Sequence, residues 1–555
     1  MRKTRHLLLR RAIATVTTVA TVVGVGFVGG SGVAGADPAA SWLNHGNGLS
    51  NWRSQPSEEK LDRDNVGLLA PKWVYHPGGD VSATPSVEGN AVYVPDWTGN
   101  VARLDAATGN VVWKTNLNAA TGIATSAGLV TSRDTPTIAG DTVLVGTQKG
   151  AFLLALDKAT GAVRWRTQVD ANGFAILTQS PVVRNGVVYQ GVASTEEAAT
   201  AFIPNYPCCF FRGSVNAIDL ATGQLIWKTY MTPATSDRPS AAHPAGSRYS
   251  GAAVWGSSPV VDPARGSLYI TTGNNYSVPE SVANCTIAHP DTAGQCDADN
   301  NYVDSILSLD LATGVVKWVK HLDTADAWNV ACFTGLPGNV NPGSCPTPAG
   351  PDFDFGQGAM LIPTKTHGVK RDVVAAGQKS GVFWGVDADT GQVLWTTQAG
   401  PGGTLGGLEW GSATDGKRIY FAISNNSLLP YTSPARPELG NAGSWGALDP
   451  ATGAILWQTK DPNGDIDPGA VSVANNVVYA GSLASPADPV GAKTKKTFFG
   501  LNAANGKILW SFASGASVNS GPAIVDATVY WGSGYRNFGL GTGNDAFYAL
   551  TVKGK

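Results

Sequence analysis

The most constraining feature of this chain is a ten-residue phrase that ends in tryptophan and recurs seven times. Its copies are LDAATGNVVW (104–113), LDKATGAVRW (156–165), IDLATGQLIW (218–227), LDLATGVVKW (309–318), VDADTGQVLW (386–395), LDPATGAILW (448–457) and LNAANGKILW (501–510). Recurrence at intervals of tens of residues is typical of a repeat architecture, in which each copy is one structural unit. The repeat therefore sets the expected fold class before any residue chemistry is considered.

Each copy of the phrase predicts a β-hairpin. An alternating apolar run enters it, an Asp/Ala-Thr-Gly cluster supplies a turn in which glycine takes a positive φ, and a second alternating run carries the tryptophan. A second hairpin, as in TPSVEGNAVYVPD (84–96) and SPVVRNGVVYQGV (180–192), precedes most copies. Two hairpins per repeat give four antiparallel strands, which form one blade of a β-propeller. Helices are expected to be short, because no stretch after residue 36 keeps a period of 3.6.

The unpaired ends of the repeat give the number of blades. APKWVYH (70–76) has the tryptophan strand without its incoming partner, and AFYALTV (546–552) is an incoming strand without its tryptophan. Together they complete an eighth blade and leave fewer exposed sheet edges. The sequence thus predicts an all-β, eight-bladed propeller over residues 37–555, with tryptophan-docking repeats and a ring closed by the N-terminal strand.

The first 36 residues have the pattern of a signal peptide. A cationic start, MRKTRHLLLRR, is followed by an apolar run and by Ala34-Gly35-Ala36, a small-residue cleavage pattern before Asp37. The protein is therefore expected to be exported, to the periplasm or outside the cell. Arg10-Arg11 is compatible with the twin-arginine route, and an uncleaved anchor is the alternative; nothing else in the chain predicts a membrane span. The net charge of -2, with no basic stripe, argues against nucleic acid as a partner.

Six cysteines in an exported protein predict disulfides, for which fifteen connectivities are possible. Proximity in sequence suggests Cys208 with Cys209, Cys285 with Cys296, and Cys332 with Cys345. The vicinal pair closes only a strained eight-membered ring, so bonding of these two cysteines to other partners remains the alternative. No CxxCH motif is present, so this chain is not expected to carry covalent haem.

The repeats are unequally spaced. Trp227 and Trp318 lie 91 residues apart and Trp318 and Trp395 lie 77 apart, whereas the shortest interval is 40. Two long insertions therefore rise from neighbouring blades. Extra loops on one face of a propeller commonly build the mouth of its central channel, which places the expected site there.

The segments between the repeats resemble those of a known family. These are SWLNHGNGLSNWR (41–53), DNVGLLAPKW (64–73), TTGN (271–274), PDFDFGQGAML (351–361), QKSGVFWGVDADTG (378–391) and GGLEW (406–410). They look like the eight-bladed quinoprotein alcohol dehydrogenases that use pyrroloquinoline quinone (PQQ). Within that family, a Glu-Glu pair before PCCFFRGS is most similar to polyvinyl alcohol dehydrogenases. The resemblance implies oxidation of secondary alcohol groups by hydride transfer to PQQ with calcium, and a separate electron acceptor such as cytochrome c.

The resemblance also implies a set of catalytic and metal-binding residues. Asp352 matches the carboxylate base and a calcium ligand, with Asp354 as the other candidate for the base, because Pro351 stands where the family has tryptophan. Glu196 matches a second calcium ligand, with Glu197 beside it as the alternative, and Asn274 matches a third. Lys379 matches the cation that contacts the quinone oxygens. Oxygen ligands of this kind suit calcium.

The same resemblance implies a cofactor pocket. Trp255 matches an aromatic floor, and Arg133 matches a guanidinium that holds a carboxylate. The other residues assigned to the pocket are Thr178, Ser194, Trp410, Cys208 and Cys209. Two alternatives remain at the level of sequence: a non-catalytic envelope scaffold propeller, which shares the tryptophan repeat, and a sugar-oxidising quinoprotein.

Overall fold

The computed structural model describes residues 41–234, 248–366 and 368–555. The predicted signal peptide lies outside these ranges. None of the helices within them has the length and apolar character needed to cross a membrane.

Eight four-stranded antiparallel sheets follow one another along the chain and form the blades of the predicted propeller. Blades 1 to 4 consist of Ser86–Glu88, Ala91–Asp96, Asn100–Asp105 and Val111–Asn116; Thr137–Ala139, Thr142–Gly146, Phe152–Asp157 and Val163–Gln168; Val182–Arg184, Val187–Ser194, Ser214–Asp219 and Leu225–Tyr230; and Val260–Asp262, Ser267–Thr271, Ser305–Asp310 and Val316–His321. Blades 5 to 8 consist of Met360–Thr366, Val369–Gly377, Val382–Asp387 and Val393–Gln398; Ala413–Thr414, Ile419–Ile423, Ser444–Leu448 and Ile455–Lys460; Ser472–Ala474, Val477–Gly481, Phe498–Asn502 and Ile508–Phe512; and Ala523–Val525, Thr528–Gly532, Phe547–Val552 and Leu69–Tyr75. We call the four strands of each blade a to d in that order.

The remaining elements are short, as predicted. The helices are Leu117–Thr121, Glu196–Phe202 and Glu280–Ala288, with 3-10 turns at Val66–Leu68, Thr125–Ala127, Pro290–Cys296, Val330–Cys332, Pro342–Ser344, Gly491–Lys493 and Asn537–Gly539. The strands outside the four-stranded pattern are Ser41–Trp42, Ser54–Gln55, Ala175–Ile176, Ser250–Gly251, Asn275–Ser277, Tyr431–Ser433 and Arg436–Gly440.

The ring closes as the unpaired ends of the repeat predict. Leu69–Tyr75 pairs antiparallel with Phe547–Val552 and supplies strand d of blade 8. The indole of Trp510 on blade 7 donates a hydrogen bond to the carbonyl of Leu69, at 3.1 Å. The first and last segments of the propeller therefore hold one blade together.

The eight repeat tryptophans join each blade to the next. Every indole Nε1 donates to a main-chain carbonyl of the following blade at 2.9 to 3.3 Å. For example, Trp113 of blade 1 donates to Lys158, in the turn between strands c and d of blade 2. The glycine of that turn, Gly161, has a φ of 73°, and a Cβ at this position would lie 2.6 Å from the ring of Trp113. The Thr-Gly pair thus serves two purposes, a left-handed turn and space for the neighbouring indole.

We expect Gly161→Ala to lower the free energy of unfolding more than Gly140→Ala in the same blade. Both glycines have positive φ, 73° and 63°, but a Cβ at Gly140 would meet no atom within 4 Å. Both variants carry the left-handed penalty of about 1–2 kcal/mol, and Gly161→Ala adds an overpacking cost of about 1–3 kcal/mol against Trp113. Denaturant titrations of the two variants measure the difference, and equal destabilisation would contradict the docking role.

The segment 41–55 crosses the axis of the propeller. Its carbonyls at 43, 49, 50, 52 and 53 accept hydrogen bonds from strand a of blades 2, 4, 5, 6 and 7 in turn. The guanidinium of Arg53 is fully buried and donates to the carbonyls of Val471 and His45 and to the hydroxyls of Thr84 and Ser472. This segment, part of the motif SWLNHGNGLSNWR, therefore ties the inner strands of the ring together.

The order of strands also determines which loops share a face. In an up-and-down sheet, the b–c loop and the connection from strand d to the next strand a emerge on one face, and the repeat turns between c and d emerge on the other. The described parts of both long insertions, 231–234 and 248–259 with 272–304, and 322–359, lie on the first face. So do all the catalytic and cofactor residues that the sequence analysis selects from loops.

Candidate active site

A lysine and two aspartates meet in the interior of that face. Nζ of Lys379 lies 3.0 Å from Oδ1 of Asp352 and 3.5 Å from Oδ2 of Asp354. All three side chains are buried, with residue exposures of 5%, 2% and 5%. Burial alone would lower the pKa of Lys379, but the two carboxylates hold it well above its usual range. The site therefore contains a fixed positive charge.

The two aspartates have different surroundings. Oδ1 of Asp354 accepts the backbone N–H of Asn274 at 2.5 Å, and its Oδ2 accepts the indole N–H of Trp255 at 2.8 Å. Both oxygens of Asp354 are thus engaged by rigid donors. Asp352 receives only Lys379, on Oδ1. Burial raises the pKa of Asp352 well above its usual range, and Lys379 opposes that effect. Asp352 is therefore the carboxylate with an oxygen available to a substrate.

A third acid, Asp326, fixes the loop that carries Asp352. Its Oδ1 and Oδ2 accept the backbone N–H groups of Asp352 and Phe353, at 3.0 and 2.7 Å. Asp352 itself has a φ of 61°, a conformation that non-glycine residues adopt only when their surroundings impose it. Burial raises the pKa of Asp326 to about 7. Asp326 holds the backbone that presents Asp352.

The two adjacent glutamates point to different places. The carboxylate of Glu196 is fully buried and accepts the backbone N–H groups of Phe210 and Phe211 and the hydroxyl of Tyr206. Glu197 is half-buried; burial raises its pKa to about 8, and Lys379, Asp354 and Asp326 are the charges that act on it. The carboxylate of Glu196 is thus engaged by a neighbouring loop, whereas the charges of Lys379, Asp354 and Asp326 act on Glu197; the choice between the two as a metal ligand stays a prediction.

Asn274 completes the group. Its Nδ2 donates to the carbonyl of Trp328 at 2.9 Å, which fixes the amide, and its buried Oδ1 has no hydrogen-bond partner. Within the described ranges, no three His, Cys, Asp or Glu side chains converge to hold a metal ion by themselves. A cation at this place therefore needs the amide oxygen of Asn274 and oxygens from a bound molecule as well.

Aromatic rings adjoin the charged groups. Trp255 and Trp410 meet edge to face, with ring centroids 5.4 Å apart. Nζ of Lys379 lies 5.4 Å from the ring of Trp255, and the guanidinium of Arg133 lies 4.3 Å from the ring of Trp410. Thr178 lines an axial cavity together with Arg133 and Trp410. The sequence-selected residues of the predicted pocket are thus brought together, with the exception of Ser194.

Ser194 performs a local structural task. Its Oγ accepts the N–H of Glu196 at 2.9 Å and donates to the carbonyl of Phe174 at 3.2 Å. The hydroxyl thus begins the helix Glu196–Phe202. Its predicted contact with the cofactor stays a prediction, and the single hydroxyl proton is already donated to the carbonyl of Phe174.

The three disulfides suggested by proximity are all present: Cys208–Cys209, Cys285–Cys296 and Cys332–Cys345. The vicinal pair is buried in an apolar cluster with Phe211 and Tyr276, and Trp255 packs against the same cluster. The backbone amides that follow it are those held by Glu196. Glu196 therefore anchors the vicinal disulfide next to the candidate floor residue.

Comparison with known proteins identifies the family. The family described as "Glucose/ethanol/alcohol dehydrogenase, beta-propeller domain", denoted PQQ, matches residues 42–332, more than half of the chain. The chain belongs to this family. A second family, "Outer membrane protein assembly factor BamB", matches the shorter range 441–553.

The relatives of this PQQ dehydrogenase include two polyvinylalcohol dehydrogenases. The protein from Sphingopyxis sp. is 29% identical, and the protein from Pseudomonas sp. is 28% identical; each alignment covers 93% of this chain and 77% of the relative. The crystal structure of a quinohemoprotein alcohol dehydrogenase from Comamonas testosteroni has a TM-score of 0.66 at 20% identity, over 94% of this chain and 82% of that one, and it shares the fold. The chain is a PQQ-dependent dehydrogenase, and the scaffold alternative is set aside.

The pocket residues of this PQQ dehydrogenase fit a flat, polyanionic cofactor. Three buried polar atoms at the site lack partners: Nε of Arg133, Oδ1 of Asn274 and Oε1 of Glu409. An arginine donor, aromatic walls and an oxygen ligand for a cation are the groups that PQQ with a metal ion requires. The chemistry of the residues thus agrees with the family.

Sequence inspection missed two acids of the site and one partner of Arg133. Glu409 is buried, and burial raises its pKa to about 7. Tyr535 is buried next to Arg133 and Glu409. Glu409 stands in the motif GGLEW and was overlooked beside its tryptophan, whereas Asp326 and Tyr535 lie in segments without a recognisable pattern.

Proposed function

We propose that this protein is an exported alcohol dehydrogenase that oxidises secondary alcohol groups with PQQ and calcium. The observation that carries the proposal is the buried Lys379–Asp352 pair beside Trp255, on the face that also holds Arg133 and Asn274. Export is supported by the pattern of residues 1–36 and by three disulfides. A polyvinyl alcohol-like polymer is the proposed substrate, because the named relatives cover nearly the whole chain.

Asp352 acts as the general base. Its free oxygen accepts the proton of the substrate hydroxyl while hydride leaves the carbinol carbon, so that the alcohol loses one proton and one hydride and becomes a ketone. When bound, PQQ supplies the carbonyl centre that accepts the hydride. Asp354 keeps Trp255 and the backbone of Asn274 in place.

Lys379 supplies positive charge where negative charge develops, and a calcium ion held by nearby oxygen ligands would add to it. The ammonium of Lys379 is held by Asp352 and Asp354 over the ring of Trp255, where it would stabilise negatively charged oxygen. Glu197, Asn274 and Asp352 would hold calcium. Glu197 replaces Glu196 in this set, since the carboxylate of Glu196 is occupied.

The cofactor would lie against Trp255, with Arg133 bound to a carboxylate. Thr178 and Trp410 border the same cavity, and Cys208–Cys209 packs in the cluster that Trp255 contacts. The reduced cofactor would pass its electrons to a separate acceptor such as cytochrome c, because the chain has no CxxCH motif for covalent haem.

Reconstitution tests this function. Purified protein is loaded with PQQ and Ca²⁺, and reduction of an artificial electron acceptor is followed with 2,4-pentanediol, a short analogue of the polymer, and with polyvinyl alcohol. We expect alcohol-dependent reduction that requires both PQQ and Ca²⁺, with controls that omit each one. Stoichiometric PQQ loading without any alcohol-dependent reduction would refute the enzymatic proposal, and glucose as the better substrate would refute its substrate class.

A further inference from the structure

A second group of buried acids lies on blades 6 and 7, outside the machinery described above. The connection between these blades reads Lys-Asp-Pro-Asn-Gly-Asp-Ile-Asp (460–467), with acids at positions 461, 465 and 467. Asp461 and Asp467 have 0% exposure, and Asp465 has 6%. Fully buried aspartates are uncommon unless they are paired or bind a cation.

Four of the six carboxylate oxygens of these acids form no hydrogen bond. Both carboxylate oxygens of Asp467, Oδ2 of Asp461 and Oδ2 of Asp465 have no hydrogen-bond partner. Oδ1 of Asp461 accepts the N–H of Asn463 at 2.5 Å, which fixes that carboxylate. An unpartnered buried carboxylate carries a large desolvation cost, so an unbalanced group of this kind calls for a ligand.

An independent group points to the same place. Ser482, on the b–c loop of blade 7, is fully buried, and its Oγ also lacks a hydrogen-bond partner. The antiparallel bridge between Ile466 and Leu483 brings Ser482 next to the acidic loop. The hydroxyl lies within reach of the carboxyls of Asp461 and Asp467, although it forms no well-aligned hydrogen bond with either. The hydroxyl oxygen of Ser482 is thus a third, neutral oxygen in the same place as the carboxylates of Asp461 and Asp467.

The charges around the group do not balance. Lys495 pairs with Oδ1 of Asp465 at 2.9 Å. In the described part of the chain, no lysine or arginine forms an ion pair with Asp461 or Asp467. A cation would relieve the repulsion among these groups.

The backbone keeps this space compact. Asp461 donates its N–H to the carbonyl of Gly443 at 3.0 Å, and Gly443 donates to the carbonyl of Asp465 at 2.7 Å. A Cβ at Gly443 would lie 2.6 Å from Oδ2 of Asp467, so only glycine leaves room for the carboxylate. These contacts hold the loop 460–467 against strand c of blade 6 and against blade 7.

We propose that Asp461, Asp467 and Ser482 form a calcium site that is separate from the cofactor. Two carboxylates, a hydroxyl, nearby carbonyls and water supply the hard oxygen ligands that calcium accepts in a flexible geometry. Two carboxylates are enough to bind calcium when neutral oxygens complete its coordination, so the site does not need a third free carboxylate. The carbonyl of Pro468, the next residue, accepts the backbone N–H of Trp410 at 3.3 Å. Calcium here would therefore stiffen the support of a cofactor-pocket wall.

The test measures bound calcium in the absence of PQQ. Its background is the double variant Glu197→Gln with Asp352→Asn, which removes two proposed calcium ligands of the cofactor site. After chelation and equilibrium dialysis against Ca²⁺ at pH 7.5, this background is expected to retain one calcium per chain. Adding Asp461→Asn and Asp467→Asn should abolish it, whereas Asp64→Asn, at an exposed side chain, should leave it unchanged.

A milder variant guards against loss of folding. Ser482→Ala removes one neutral ligand and is expected to weaken calcium binding several-fold, with unchanged circular dichroism. No calcium in the background, or one calcium that persists after Asp461→Asn and Asp467→Asn, would overturn the site. Neither result bears on the proposed oxidation, which is measured on the PQQ-loaded wild type.

Discussion

Asp352→Asn is expected to lower kcat for alcohol oxidation by about 10²–10⁴-fold, the range that general acid–base catalysis contributes. Asparagine keeps the size of the side chain and can still accept from Lys379, but it cannot take the hydroxyl proton. The measurement is kcat with PQQ loading determined spectroscopically for each variant. A loss that persists at full loading separates proton transfer from cofactor binding.

Asp354→Asn is the matched comparison. The carboxylate of Asp354 accepts from the N–H of Asn274 and from the indole of Trp255, so its loss is expected to disturb pocket geometry. The expected result is weaker PQQ binding with a smaller fall in kcat at saturation. Turnover retained in Asp352→Asn and lost in Asp354→Asn would reverse the assignment of the base.

The repeat explains why the fold could be predicted from sequence. Each tryptophan stands at a fixed distance after its Asp-x-x-Thr-Gly turn, so strand number, blade number and ring closure all follow from local patterns. The pattern does not show which group each indole binds. That group is a carbonyl in the turn of the next blade; for Trp113 it is the carbonyl of Lys158. That contact joins residues 45 positions apart, and no local signal encodes it.

The site was harder to predict for a related physical reason. Asp326 lies 26 residues before Asp352 and acts through two backbone N–H groups, so its role depends on how an insertion folds back. Tyr535 reaches Arg133 from blade 8, on the far side of the ring closure. Residues that the sequence selected and the structure brings together, such as Lys379 and Trp255, stand in motifs adjacent to strands, where a strand end fixes the direction of the side chain.

Glu196 and Glu197 show where sequence resemblance alone leaves two candidate ligands. The two glutamates lie at the start of the helix Glu196–Phe202, where neighbouring side chains differ by about 100° around the axis. One glutamate must therefore face the loop of the vicinal disulfide and the other the lysine. The hydrogen bonds of Glu196 decide which is which.

Glu197→Gln is expected to raise the calcium concentration needed for PQQ-dependent activity by about 10–100-fold or more. Loss of even an outer-shell partner of a metal site costs about 10–100-fold in affinity, and the removal of a charged ligand should cost no less. Titration of the apoprotein with Ca²⁺ at saturating PQQ measures the change. Because the calcium site on blades 6 and 7 is separate, the readout is cofactor-dependent activity and not total bound calcium.

Glu196→Gln gives the opposite pattern and serves as the control. Glutamine would direct its NH₂ or its single oxygen at the amides of Phe210 and Phe211, so a buried donor loses its acceptor at a cost of about 1–3 kcal/mol. We expect a lower Tm and a loosened Cys208–Cys209 loop, with the calcium requirement changed much less than in Glu197→Gln. If Glu196→Gln instead abolishes the response to calcium while Glu197→Gln leaves it intact, the ligand is Glu196, and the helix start must rotate when the metal binds.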